Sequence, residues 1–193
     1  MRKLTYFVAA TLDGFIASPD ASHRMFLEGQ DHGAWVLNNL PETLPTSLRH
    51  QVPGLAERGN RRFDTVLMGR GTYERGVRDG TTSPYRHLRQ YVVSTSLQSN
   101  PDPAVEVAPG DPLDFVRKLK KEDGLDIWLC GGGKLAAALR DEIDELVIKL
   151  NPVVIGSGIP LFDSAYSPQR YQTVSGQVFD SGVTIMTYAS MRP

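Results

Sequence analysis

The chain contains one cysteine, Cys130, has no surplus of basic residues and carries no long apolar run. A single cysteine excludes an intramolecular disulfide and any zinc site built from several thiolates. Cys130 ends the apolar stretch "DIWLC", a context that favours a buried, inert thiol over a nucleophile. Lys and Arg number 21 against 22 Asp and Glu, so the strongly basic surface that attracts nucleic acid is missing. No segment reaches the ~18 apolar residues of a membrane-spanning helix. The apolar run near the N-terminus stops at Asp13-Gly14 and reads as a first strand, not a secretion signal. Internal repeats, low-complexity tracts and a dividing linker are absent too. The expectation is a soluble, cytoplasmic protein with one domain over residues 1–193, no metal, and no nucleic-acid or membrane partner. A chain of this length buries about 70% of its unfolded surface, enough for its own core.

The common nucleotide cradles are also missing. In a P-loop, Gly-x-x-x-x-Gly-Lys is followed by Ser or Thr; here Gly133-Lys134 precedes Leu135, and Trp128 stands five before Gly133. No Gly-x-Gly-x-x-Gly occurs either: Lys134-Leu135-Ala136 follows the glycine triplet, and Gly156-Ser157-Gly158 has no third glycine.

What is present is a succession of short strand signals. Residues 4–10 (LTYFVAA), 65–68 (TVLM), 91–93 (YVV) and 127–130 (IWLC) are nearly continuous in apolar and β-favouring side chains, as in strands buried on both faces. Between the last two, Asp111 offers an N-cap and Pro112 a first helical residue, with Leu113, Val116 and Leu119 on one face. A second helix is expected over 135–143, facing inward through Leu135, Ala138 or Leu139, and Ile143. Strands alternating with amphipathic helices signify an α/β fold with a mainly parallel sheet. The end differs: 145–155, 171–179 and 183–189 read as strands without helices between them. Ser181-Gly182 marks a turn, so the mixed sheet closes with an antiparallel hairpin. Residues 19–62, interrupted by Pro41, Pro45 and Pro53, are least legible; one helix is expected within 42–61, with Glu42 and Glu57 as solvated acids on it.

Three turns at strand ends carry anion-friendly chemistry. "CGGGK" (130–134) joins a strand to a helix; its glycines suit either close approach of a phosphate to the backbone or a tight turn and close packing. "MGRGTYE" (68–74) follows another strand, where Gly69 admits backbone approach, Arg70 supplies a cation and Thr72 can cap a helix. Ser94-Thr95-Ser96 places three hydroxyls after a third strand. Singly, Arg70 reads as a surface arginine and the hydroxyls as a loop. In a parallel sheet those ends line one edge, so a ligand with several phosphates, such as a dinucleotide, would be gripped there.

Taken together, these residues resemble the dihydrofolate reductase superfamily, in particular the branch holding the reductase domain of bacterial riboflavin biosynthesis (the RibD C-terminal domain) and its stand-alone relatives. "TLDGFIA" (11–17), "DTVLMGRGTYE" (64–74), "VVSTS" (92–96), "LCGGGKLAAAL" (129–139) and "NPVVIGSGIPLF" (151–162) carry the resemblance in order. It implies a three-layer fold with an eight-stranded mixed sheet, and NADPH as hydride donor to a small-molecule substrate. Arg70 with Ser94, Thr95 and Ser96 would then hold the 2′-phosphate. Thr72 and the turn from Gly131 to Leu135 would hold the pyrophosphate through the Gly132 and Gly133 amides, across a cis peptide between Gly131 and Gly132. Gly69 would adjoin the phosphates, and Lys134 would aid them or face water. Ala10 and Ile16 would meet the nicotinamide through their backbones. Family members often form homodimers. The family reaction reduces an aminopyrimidine ribosyl phosphate. Classical folate reductases carry an acid on their first helix, for which residues 22–60 offer no clear equivalent. Asp13, in "TLDG", is the candidate near the substrate; it equally suits an Asp-Gly turn that shapes the loop.

Overall fold

The computed structural model describes residues 1–27, 29–97 and 102–192. Its frame is an eight-stranded sheet. β1 (Leu4–Thr11) pairs in parallel with β6 (Asp126–Gly131) on one side and β7 (Glu145–Asn151) on the other. Beyond β6 lie β3 (Phe63–Gly69), β4 (Arg89–Val93) and β5 (Val105–Ala108), all parallel. Beyond β7 lie β10 (Thr184–Ser190) and then β9 (Tyr171–Val178), both antiparallel to their neighbours, giving the order β5-β4-β3-β6-β1-β7-β10-β9. The expected mixed sheet with a closing hairpin is therefore present; Gly182, at φ +82, makes its turn. A separate two-stranded ribbon joins β2 (Phe15–Ala17) to β8 (Ile159–Pro160).

Side chains alternate across the strands and supply two cores. On one face Leu4, Tyr6, Leu67 and Leu129 meet α4 (Pro112–Leu119) and α5 (Gly133–Ala138) through Val116, Leu119, Leu135 and Leu139. Asp111 caps α4 as expected, accepting from the Leu113 amide at 2.8 Å and the Asp114 amide at 3.2 Å. On the other face Val66, Met68, Val92, Trp128 and Val147 pack against Leu40 and Tyr73. Leu40 follows α1 (Gln30–Asn39), and Tyr73 belongs to α3 (Arg70–Arg78).

Two expected helices differ from the structure. The helix over 135–143 starts earlier, at Gly133, and breaks after Ala138 into a 3-10 turn at Arg140–Glu142; Leu139, not Ala138, faces inward. Residues 42–61 hold only a 3-10 turn (Pro41–Thr43) and the four-residue α2 (Thr46–Arg49) before irregular turns. The helix of this region is α1, upstream. Gly33, Asn38 and Asn39 lower its intrinsic propensity, and burial of Trp35, Val36 and Leu40 against the sheet overrides that deficit.

Glu42 is not solvated but fully buried, its Oε1 accepting from the amides of Arg61 (2.6 Å) and Arg62 (3.1 Å). Arg49, also buried, donates to the carbonyls of Pro41, Leu55 and Arg58 at 2.8, 3.1 and 3.2 Å. Side chains thus satisfy the backbone groups that a proline-broken stretch leaves without helical partners. Glu57 is exposed, as expected.

Candidate active site

β4, β3, β6 and β1 are consecutive and parallel, so their carboxyl ends share one edge of the sheet. The register keeps three of those ends level: Gly69 pairs with Val93, and Met68 with Gly131. β1 does not stop there. Its last pair with β6 is Tyr6 with Leu129, yet it runs on to Thr11 paired only with β7. A backbone edge from Phe7 to Thr11, Ala10 included, thus opens beside the glycine turn; Trp128 Nε1 donates to the Phe7 carbonyl at its start (3.2 Å).

At the turn, the Gly131-Gly132 peptide is cis and Gly131 has φ +135. Gly69 lies against it so closely that a Cβ there would stand 3.3 Å from the Gly131 oxygen and the Gly132 nitrogen. A Cβ on Gly131 or Gly132 would meet only the Thr72 hydroxyl, at 3.6 Å. The space beside Gly132 is thus a cradle that a side chain would fill, with a hydroxyl on one wall and the start of α5 beneath. Thr72 does not cap α3, whose N-cap is Gly69; its role is to face this cradle.

Gly133 differs from its neighbours. A Cβ on it would lie 2.1 Å from the Pro160 oxygen, and its own carbonyl accepts from the Asp163 amide at 3.1 Å. Close packing against β8 explains this glycine without any ligand. Leu135 is buried in the core and Lys134 is exposed.

On the β3–β4 side, Arg70 Nη1 donates to Ser96 Oγ at 2.5 Å and its Nε to Glu74 Oε1 at 2.5 Å. The ion pair is about half exposed, and such pairs contribute only about 0–1 kcal/mol, so an incoming anion displaces Glu74 cheaply. Ser94 Oγ accepts from the Ser96 and Leu97 amides (3.2 and 2.9 Å) and shapes the turn, leaving Thr95 and Ser96 exposed. A groove of about 430 Å³ lined by Tyr73, Glu74, Val77, Arg78 and Leu97 adjoins Arg70.

On the β1 side, Asp13 is fully engaged. Its Oδ1 accepts from Thr11 Oγ1 (2.6 Å) and its Oδ2 from the amides of Ile155 (3.1 Å) and Gly156 (2.7 Å). The Thr11 hydroxyl first, then those amides, hold its carboxyl below the usual carboxylate range. An ionised group occupied as an acceptor donates no proton at neutral pH; its work is to tie the β1–β2 turn to the loop after β7. That loop presses close, since a Cβ on Gly158 would stand 2.2 Å from the Ala17 oxygen. Ile16, half-buried, lies between them in β2.

Sequence reasoning missed a second acid. Asp31 stands in the first turn of α1, the first helix, where classical folate reductases carry theirs. Its Oδ2 accepts from the Ser181 amide in the β9–β10 turn (3.0 Å) and its Oδ1 from the His32 amide (2.7 Å). Those two amides, Ser181 first, hold its carboxyl down to about 2. The buried His32 ring lies 3.1 Å from the Leu27 oxygen and stacks edge-on against Phe179 (6.2 Å). The signal available was Asp31 one turn before Trp35, ahead of Val36 and Leu40 on one helical face; Gly29 and Gly33 obscured it. A cleft of about 550 Å³ opens here, lined by Leu27, His32, Val36, Leu37, Leu44 and Lys149. Lys149 pairs with Ala9 in the sheet, so the cleft adjoins the open stretch of β1.

The depressed carboxyl of Asp31 predicts an acid response. Its contribution is complete above the unfolded carboxylate value of ~3.9 and is lost as pH falls through about 2. Hydrogen exchange at the Ser181 amide, corrected for intrinsic rates, should accelerate between pH 4 and pH 2 while the β3 amides stay protected. Equal protection at both pH values would remove Asp31 as the tie.

Cys130 is chemically quiet: burial pushes its thiol up to about 12. Among the described residues no group of three or more His, Cys, Asp or Glu side chains is placed to hold a metal, and no helix is long and apolar enough to cross a membrane.

Comparison with known proteins gives relatives of nearly equal length. Uncharacterized protein YwjB of Bacillus subtilis (strain 168) is 30% identical over 186 residues, covering 95% of this chain and 96% of YwjB. Uncharacterized protein YyaP of the same strain is 28% identical over 199 residues, covering 97% of this chain and 94% of YyaP. The fold recurs in a Shewanella sp. PV-4 protein named for riboflavin biosynthesis, with a TM-score of 0.72 at 24% identity over 98% of this chain and 99% of that one. It recurs again in the Thermotoga maritima diaminohydroxyphosphoribosylaminopyrimidine deaminase/5-amino-6-(5-phosphoribosylamino)uracil reductase, with a TM-score of 0.65 at 16% identity. That match covers 98% of this chain and 56% of the Thermotoga protein, so this chain spans about half of its length. Residues 2–185 match the RibD C-terminal domain, and with the strand-end turns of that fold in place, the chain belongs to the RibD C-terminal domain family.

Proposed function

We propose that the protein is an NADPH-dependent reductase acting on a small heterocycle, with an aminopyrimidine ribosyl phosphate as the named substrate class. The observation that carries this reading is the level alignment of three anion-friendly strand ends beside an open stretch of β1. The fit is supported by the cradle at Gly132, which has room for an oxyanion where a Cβ would sit. Thr72 Oγ1 and the Gly131–Gly133 backbone would hold a diphosphate. Arg70, Thr95 and Ser96 would hold the 2′-phosphate, and the groove along α3 suits a flat base. Ala10 and Ile16 would fix the nicotinamide through their backbones. When bound, the reduced nicotinamide supplies a hydride.

The chain's own residues orient and exclude water. The cleft beside α1 is the space for the substrate, with Lys149 on its wall. Asp13 and Asp31 keep the loops around it in place as acceptors, so the proton for the product comes from solvent or substrate rather than from either acid. The same engagement of both acids favours a second reading, an NADP(H)-binding protein with little turnover, and weighs against folate reduction.

Titration with NADPH and NADH, followed by the fluorescence of Trp35 and Trp128, tests the proposal. NADPH is expected to bind at least tenfold tighter, an advantage of roughly 1.4 kcal/mol from charge-assisted bonds to the 2′-phosphate. Arg70→Ala should abolish the preference while leaving NADH affinity unchanged. Binding of neither cofactor would sink both readings. Turnover on a panel of pteridines and aminopyrimidine ribosides then separates enzyme from binder.

A further inference from the structure

Asn151, the last residue of β7, is fully buried and pairs with Thr11 at the end of β1. A buried carboxamide is stable only where its donors and its acceptor are met. Here Nδ2 donates to the Lys149 carbonyl at 3.1 Å and to the Ala10 carbonyl at 3.5 Å. On the other side Oδ1 accepts from the Leu27 amide at 3.1 Å. One orientation alone satisfies all three, since a flipped group would set oxygen against two carbonyls and nitrogen against an N–H. Ala10 belongs to the open stretch of β1, and Leu27 to the rim of the cleft beside α1.

That rim has few other anchors. Among the described residues, the remaining hydrogen bonds of segment 18–27 close turns within it, except that the Leu27 oxygen lies 3.1 Å from the His32 ring. We infer that Asn151 is a positioning residue that joins the two halves of the site. Fixing the Ala10 backbone with NADPH fixes the carboxamide, and the rigid carboxamide holds Leu27 on the cleft wall. The inference rests on the reductase reading and adds a regulation to it: the substrate cleft is set when the β1 edge is occupied. Coupling of this kind is reciprocal, so a rim that is released weakens NADPH by the factor that NADPH secures the rim.

Hydrogen exchange at the Leu27 amide, read by NMR with and without saturating NADPH, tests this, with Trp35 and Trp128 fluorescence reporting binding in the same samples. In the parent, NADPH should slow exchange at Leu27 by roughly fivefold or more, while amides of α4, on the opposite face of the sheet, keep their rates. Asn151→Ala should exchange fast at Leu27 whether or not NADPH is present, and should lose NADPH affinity by about the same factor. Asn151→Asp keeps an acceptor for Leu27 but no donor for Ala10, so protection should persist without responding to NADPH. Bound NADPH that leaves Leu27 unchanged in the parent would overturn this inference and spare the reductase reading. A response that survives in Asn151→Ala would overturn it equally, whereas failure to bind NADPH at all would remove both.

Discussion

Replacing Gly132 by alanine is expected to cut NADPH affinity by roughly a hundredfold while leaving the fold intact. The new methyl would fill the cradle, meeting only Thr72 Oγ1 at 3.6 Å within the protein. Its backbone, at φ −95, is open to any L-residue, so folding gains ~0.4–1 kcal/mol from a stiffer unfolded chain. Excluding a phosphate removes two charge-assisted contacts, about 3 kcal/mol together. One residue later the outcome reverses. Gly133→Ala drives a Cβ to 2.1 Å from the Pro160 oxygen, a backbone atom with no rotamer to escape by. Overpacking of that kind costs about 1–3 kcal/mol or more, a fall of roughly 2–4 °C in Tm per kcal/mol at this chain length. Thermal melts and fluorescence titration of both variants decide the matter. Gly132→Ala binding NADPH like the parent would show that the cradle holds no phosphate.

Glu42→Ala should be the most destabilising single change away from the site, at about 3–5 kcal/mol, the range for breaking a buried charged network. It strips the acceptor from the Arg61 and Arg62 amides. It also removes the carboxylate whose charge opposes the effect of burial on Arg49. The melting temperature should fall by roughly 6–20 °C. Glu42→Gln keeps one acceptor oxygen and should recover part of the loss; Glu57→Ala, at an exposed position, should change stability by less than ~0.5 kcal/mol. Equal melting of Glu42→Ala and Glu57→Ala would mean that residues 41–62 are held by other contacts.

These two glutamates show where reading from sequence runs out. Both sit in the same proline-broken stretch, each within two residues of a leucine, Leu40 and Leu44 for Glu42 and Leu55 for Glu57, and no periodic pattern separates them. Glu42 is buried because the chain returns at Arg61 and Arg62 with two amides that need an acceptor. Asp31 was hidden for a related reason. Its helix has weak propensity and forms because Trp35, Val36 and Leu40 meet a sheet built mostly from later residues. The strand ends were legible throughout, since a short β-favouring run that gives way to glycine, hydroxyl or arginine is a local pattern.

The amino-acid order by itself determined the alternation of strand and helix, the closing hairpin, and the anion-friendly chemistry at Gly69–Thr72, Ser94–Ser96 and Gly131–Gly133, because periodicity and turn chemistry act over a few residues. The tertiary structure alone decided that these turns share one edge, that Gly132 leaves a space while Gly133 fills one, and that Asp13 and Asp31 are occupied as acceptors. Each of those outcomes depends on an atom far along the chain, such as the Pro160 oxygen or the amides of Gly156 and Ser181, and distance in space is not written in local order.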